Sequence, residues 1–265
     1  MHAQQNVSEQ IAVATANTHF GDAIRFGGGL DALRTYKPDI LLLQEVTNSA
    51  DELVRQLGRA NYRLVHFAAE FGLAIALRAN AKLSAVPHPA RTFQLQKMGP
   101  IEYKLAQRFA KSPHRMHAHG MLAAQFATAQ GQRITVVTAR TTVAANRIAR
   151  SRQIAKMGKL LEAPYFSGAV IVGGDMNHFP GPQPADTKMQ QNAGLQRVEL
   201  GAQPTWRAPT TKLYRMLARA RRQPLANLRA QLDALLYRGA LVLTDVRLAN
   251  IPSDHRAIIG WFALV

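Results

Sequence analysis

The sequence predicts a mixed-sheet α/β protein, and three observations carry that prediction. Short apolar runs bounded by turn residues recur along the chain, as buried strands require. Helical patterns separate such runs early and late, which favours crossover connections there. Hairpin signals crowd the middle, which demands antiparallel pairing.

Taken in order, IAVATANTHF reads as a strand ending near Asn17. A Gly-rich turn at Gly27–Gly29 precedes a short amphipathic helix through Leu30, Leu33 and Tyr36, stopped by Lys37-Pro38. Asp39 leads into a strand over 40–43 and on to Glu45, and residues 49–60 read as helix around Leu53 and Leu57. YRLVHF and GLAIALR form two more strands, antiparallel across a turn at 68–72. Strand-like pieces follow at 83–86 and 92–95, then the basic, His-rich stretch KSPHRMHAHG. MLAAQFAT and RITVVTA resume the alternation around a hairpin turn at 129–132. A helix over 144–161 crosses to a strand at 169–172, and the segment with Pro180, Pro182 and Pro184 reads as a loop. LDALLYR, LVLTDVRLA and AIIGWFALV close the chain. No linker or low-complexity tract interrupts it, so one domain over 1–265 is expected, and a monomer.

Composition narrows the partners rather than the reaction. The absence of cysteine excludes disulfides, thiolate zinc sites and cysteine nucleophiles without fixing the compartment, cytoplasmic or, after loss of a signal segment, secreted or periplasmic. Thirty-three Lys and Arg against 16 acidic residues give a formal charge of +17. Such an excess attracts polyanions in a salt-dependent way, nucleic acid first and an anionic membrane surface second. No window reaches the roughly 18–20 apolar residues of a spanning helix.

Chemistry enters where apolar runs end. Glu45 closes ILLLQE, Asp175 and Asn177 follow VIVGG, and Asp254 and His255 precede the last strand. Carboxylates, an amide and an imidazole at one sheet end suit a hard cation and a phosphate. A phosphodiester resists attack because its anionic oxygens repel the nucleophile, so an enzyme needs a cation, an oriented water and help for the leaving oxygen. Glu45 supplies a hard oxygen ligand of the kind Mg²⁺ takes. Asp175 and Asn177 lie two apart and face one way in extended backbone. The carboxylate then holds or deprotonates water while the amide grips phosphate. His255 offers a phosphate donor or an acid/base group, with Asp233 to orient it.

With these residues in view, the chain resembles the endonuclease/exonuclease/phosphatase superfamily, the DNase I-like proteins. The resemblance runs from TANTHFG through Pro38-Asp39, LLLQE, GLAIALR, GGDMN and Pro204-Thr205-Trp206 to LDALL and the terminal SDH. It implies a four-layer α/β sandwich of two packed mixed sheets flanked by helices, with the site at one end. It further implies Glu45 as the principal Mg²⁺ ligand, with Asn17 and Asp254 assisting, and Mn²⁺ as a possible substitute. Asp175 and Asn177 would position the attacking water, and Asp233 and His255 would form a carboxylate–histidine pair.

One position departs from the pattern. Many relatives end the central strand in Asn-Thr-His-Leu, whereas RITVVTARTTV places Arg140 at the histidine. An arginine there suits bidentate phosphate binding and cannot serve as a general acid at neutral pH.

The chain also carries a basic arm. Between Glu199 and Asp233 no acidic residue occurs, and Leu213, Met216, Leu217 and Ala220 recur at helical spacing among Lys212, Arg215, Arg219 and Arg222. A basic amphipathic helix ending at Pro224 would track a nucleic-acid backbone or rest on an anionic membrane. His114, His117 and His119 read as an exposed basic loop, with phosphate contact favoured over zinc. The leading reading is a Mg²⁺-dependent nuclease acting on DNA. The alternatives are a membrane-surface phospholipid or sphingomyelin phosphodiesterase, and an inactive phosphate-binding protein on the same scaffold.

Overall fold

The computed structural model describes residues 9–19, 21, 24, 28–86, 90–97, 118–141, 147–177, 184–207 and 229–265. The predicted basic helix with Lys212, Arg215, Arg219 and Arg222 lies outside them, as do His114 and His117.

In chain order the first strands are β1 (Gln10–Asn17), β2 (Ile40–Gln44), β3 (Tyr62–Ala68), β4 (Leu73–Arg78), β5 (Leu83–Ala85) and β6 (Arg91–Lys97). Then come β7 (Ala118–Thr128), β8 (Arg133–Arg140), β9 (Ala169–Asp175), β10 (Gln196–Arg197) and β11 (Trp206–Arg207). The last are β12 (Arg229–Ala230), β13 (Asp233–Arg238), β14 (Leu241–Asn250) and β15 (Arg256–Leu264). Among the described residues the α-helices are α1 (Gly28–Arg34), α2 (Ala50–Arg59), α3 (Arg147–Leu161) and α4 (Pro184–Ala193).

Six strands make one sheet in the order β14-β15-β1-β2-β4-β3. Seven make the second, β10-β13-β9-β8-β7-β5, with β6 also on β7, and β11 pairs with β12 in a small separate ribbon. Both large sheets are mixed: β1 runs parallel to β2 and β8 parallel to β9, while their other neighbours are antiparallel.

Strand alternation then builds four layers. Along β2, Leu42 packs between the sheets with Val13, Ile75, Phe126, Val136, Ile171 and Phe262. Its neighbours Leu41 and Leu43 point the other way, against Leu30 and Leu33 of α1 and Leu53 and Leu57 of α2. On the far sheet Val137, Val170 and Val172 meet Ile154 and Met157 of α3 and Met189 of α4. Burying each such side chain stabilises the fold by about 1.5–3 kcal/mol. Ser49 caps α2, its Oγ accepting from the Glu52 amide at 3.2 Å.

Two glycines let neighbouring chains approach where β9 nears its end, Gly173 across the sandwich and Gly174 within its own sheet. A Cβ on Gly173 would fall 2.7 Å from the Thr15 Cβ across the sandwich, and one on Gly174 would fall 2.1 Å from the Ala139 carbonyl oxygen. Any larger residue would force apart the strands that carry Asn17, Arg140 and Asp175.

Two sequence expectations are corrected. Pro184 starts helix α4 rather than extending the loop, because the first helical position needs no N–H donor and suits proline's fixed φ. His119 is buried on β7 rather than exposed in a loop. Among the described residues, no helix is long and apolar enough to cross a membrane.

Candidate active site

Topology brings the polar residues to one end of the sandwich. Asn17 ends β1, Arg140 ends β8 and Asp175 ends β9; Glu45 follows β2 directly, and Asn177 lies two beyond β9. The antiparallel strands β13 and β15 begin at that same end, with Asp233 opening β13 and Asp254 and His255 just before β15. Register aligns them further, because Asp175 is the Cα partner of both Arg140 and Asp233. The alternation that puts Thr138 and Gly173 between the sheets puts Arg140 and Asp175 there too, two residues on.

These side chains are buried, Asp254 only partly, and they are interlinked. Asn17 Nδ2 donates to Asp175 Oδ2 at 3.0 Å, and Asn17 Oδ1 accepts from the His19 amide at 2.9 Å. Asp175 Oδ1 accepts the Asn177 amide at 3.0 Å, while Asn177 Nδ2 donates to the Thr141 carbonyl at 2.9 Å. His255 Nδ1 lies 2.8 Å from Asp233 Oδ2. Arg140 Nη2 donates to Glu45 Oε1 at 2.9 Å. Asp254 Oδ2 accepts from Trp206 Nε1 at 3.0 Å, and its Oδ1 lies 4.0 Å from His255 Nε2. Beneath this ring, Gln44 Nε2 sits 3.0 Å from Thr15 Oγ1 and 2.8 Å from Thr138 Oγ1, tying the two sheets together.

The backbone is bent to make the cluster. His19, Glu45 and Asn177 have φ of 47°, 55° and 49°. Such left-handed conformations cost non-glycine residues on the order of 1–3 kcal/mol, and asparagine least. At Glu45 the turn aims the carboxylate toward β8 instead of continuing the alternation of β2.

Burial and neighbouring charge then set the protonation states. Burial raises the Asp175 carboxyl to about 7, helped by Asp233 and Glu45 and opposed by His255 and Arg140. Burial alone would depress His255, but the Asp233 charge and hydrogen bond, with Asp175 and Asp254, lift it to about 10. Glu45 is held below the usual carboxylate range: burial pushes it up, and Arg140, His255, Asn17 and His19 together outweigh that.

Donor atoms of Asp175, Asp233 and His255 lie within 4.8 Å of one another. The two carboxylates suit a divalent cation, and the imidazole would join them only in its neutral form. The ligands expected from sequence adjoin this cluster: Glu45 pairs with Arg140 and lies by the Asn17 side chain, Asn17 also donates to Asp175, and Asp254 accepts from Trp206.

The sequence reading missed the supporting residues. Thr205 Oγ1 accepts the amides of Leu232 and Asp233 at 3.0 and 3.1 Å and so seats Asp233. Thr141 donates its hydroxyl to the Met176 carbonyl at 2.7 Å and receives Asn177. In the sequence Thr205 is legible only as part of the Pro204-Thr205-Trp206 motif, with no role attached, and Thr141 only as the residue after Arg140.

Solved structures share this architecture. The chain is 15% identical to an endonuclease/exonuclease/phosphatase from Bacteroides vulgatus, with a TM-score of 0.65 over 97% of this chain and 100% of that one. A family protein from Bacteroides thetaiotaomicron gives 13% identity and a TM-score of 0.67, covering 97% and 99%. TDP2 from D. rerio, complexed with single strand DNA product, gives 18% identity and 0.63, covering 96% and 99%. At these identities the likeness is one of fold. Among curated proteins, none matches the chain.

The fold together with a buried Asp–Asp–His cluster defines a class, the metal-dependent hydrolases of phosphodiesterase type. Residues 15–255 match the model of the Endonuclease/Exonuclease/phosphatase family, and the chain belongs to that family.

Proposed function

We propose that the protein hydrolyses phosphodiester bonds in DNA, with Mg²⁺ as its cation and Mn²⁺ as a substitute. The observation that carries this reading is the buried cluster of Asp175, Asp233 and His255, with ligand atoms within 4.8 Å of one another, in which Asp175 is raised to about 7 and His255 to about 10. A carboxylate poised near neutrality accepts a proton from water, whereas an imidazole that keeps its proton donates to phosphate. The formal charge of +17 supports a polyanionic substrate. So does the fold shared with a TDP2 complexed with DNA.

In this mechanism a water attacks phosphorus and passes its proton to Asp175, which the Asn177 amide and Asn17 hold in place. His255, kept charged by Asp233, donates from Nε2 to a phosphate oxygen. The remaining Nδ2 hydrogen of Asn177 and the guanidinium of Arg140 address the other oxygens. When bound, a divalent cation supplies charge neutralisation at the phosphate. Asp175 and Asp233 would offer it oxygens, with Glu45, Asn17 and Asp254 as the ligands the family resemblance adds. The ester P–O bond breaks, and the departing oxygen is protonated by solvent.

Cleavage of plasmid and labelled duplexes with Mg²⁺, with and without EDTA, tests this. Cutting abolished by EDTA, and lowered about 10²–10⁴-fold in Asp175→Ala and His255→Ala, is the expected result. No cutting above those variants with either cation would overturn the DNA assignment and turn the search to phospholipid esters.

A further inference from the structure

Arg140 and Glu45 form a buried ion pair inside the site. Their side chains are 5% and 8% exposed, and Nη2 meets Oε1 at 2.9 Å. Both charges act on Asp175, and Glu45 also feels His255, so the pair adjoins the Asp–Asp–His cluster. A guanidinium in that position repels a divalent cation approaching the cluster and occupies a further carboxylate that the cation would use.

Breaking a buried ion pair costs stability unless each charge gains a new counterpart. A cation that took Glu45 alone would cost Arg140 this contact. A phosphate that took Arg140 alone would cost Glu45 the same contact. The two arriving together replace it on both sides, because a guanidinium fork fits phosphate oxygens and a carboxylate fits a hard cation.

We propose that Arg140 exchanges Glu45 for the substrate's phosphate, and that this exchange couples phosphate binding to divalent-cation binding at the site. The inference rests on the phosphodiester chemistry proposed above only for the nature of the anion. By linkage, phosphate tightens the cation and the cation tightens phosphate by the same factor. The free protein therefore binds the cation weakly and acquires it with its substrate.

The test reads metal binding rather than turnover. Free Mn²⁺ is followed by electron paramagnetic resonance during titration of the full chain, with and without thymidine 5′-monophosphate. In the wild type the nucleotide is expected to lower the Mn²⁺ Kd by on the order of tenfold or more. Without nucleotide, Arg140→Gln should bind Mn²⁺ more tightly than wild type by a similar factor, and it should respond little to the nucleotide. Arg140→Lys, which keeps the charge, should stay near wild type. A folded Arg140→Gln that binds Mn²⁺ no more tightly than wild type overturns the exchange. Should that variant not fold, equal Mn²⁺ affinity with and without nucleotide, in both wild type and Arg140→Lys, overturns it as well. Metal-dependent DNA cutting without such coupling would refute the exchange alone. Coupling without DNA cutting would refute the substrate assignment alone.

Discussion

Between the two sheets, one layer of side chains changes character along the same strands. Val13 and Leu42 are apolar and fully buried; Asn17 and Glu45, a few residues further along, are polar and almost as buried. On β9, Ile171 gives way to Asp175 after two glycines. Burial stabilises the first region through the hydrophobic effect and opposes the second through desolvation. The polar end persists because its charges have partners, Arg140 with Glu45 and Asp233 with His255, on a packed floor that cannot give way. The contrast teaches that rigidity and reactivity come from opposite ends of one layer.

The largest effect should come from breaking the junction itself. Gly174→Val puts a side chain where even a Cβ would meet the Ala139 carbonyl oxygen at 2.1 Å, so β8 and β9 could no longer pair. Loss of cooperative melting is the expected outcome, and a soluble variant with the wild-type Tm would show that the strands can part at little cost.

Next come two substitutions that should separate the regions. Phe126→Ala in the apolar layer should cost about 3–5 kcal/mol of stability, while the protein that remains folded keeps its activity. Asp175→Asn should do the reverse, sparing stability more than rate. It removes a buried carboxylate crowded by Asp233 and Glu45, which offsets the loss of one of its two accepted hydrogen bonds, so Tm stays near the wild-type value while turnover falls about 10²–10⁴-fold. Melting curves and cleavage rates on both variants decide it; a large joint fall of Tm and rate in Asp175→Asn would refute the division.

A smaller effect should appear with pH in metal-stripped protein. His255 is raised from 6.5 to about 10, so its contribution is fully present below pH 6.5 and lost as pH climbs through 10. Asp175, raised from 3.8 to about 7, also favours the folded state at low pH and withdraws that support between those values. Tm should therefore fall from pH 6.5 to 10, and Asp233→Asn should flatten the fall. An unchanged slope in that variant would mean that Asp233 does not hold the proton on His255.

Much of this was legible in the chain because buried strands announce themselves. ILLL and VIVGG lack the polar alternation of a one-sided strand, and each proved to be packed on both faces. The residues that end them were legible for the same reason. What sequence could not show were pairings across distance. Arg140 and Glu45 are 95 residues apart, and Asn17 and Asp175 are 158 apart. Nor does a glutamate advertise a left-handed turn, since that conformation is imposed by its surroundings. Helix α4 was hidden by its own first residue, Pro184, because proline signals a loop and a helix start equally well.

The smallest expected effect probes how far the polar end reaches toward its rim. Trp206 donates from Nε1 to Asp254 Oδ2, and its backbone bridges that of His255. Trp206→Phe keeps an aromatic ring and the bridge but removes the donor. Losing one such hydrogen bond costs about 1 kcal/mol, so a Tm drop of a few degrees and a several-fold loss of turnover are expected. If the bond acts by fixing Asp254, then Asp254→Asn in the Trp206→Phe background should add less than the two changes made separately. Strict additivity would show that the indole supports the site only by filling space, and would move the boundary between the two regions inward to Asp233 and His255.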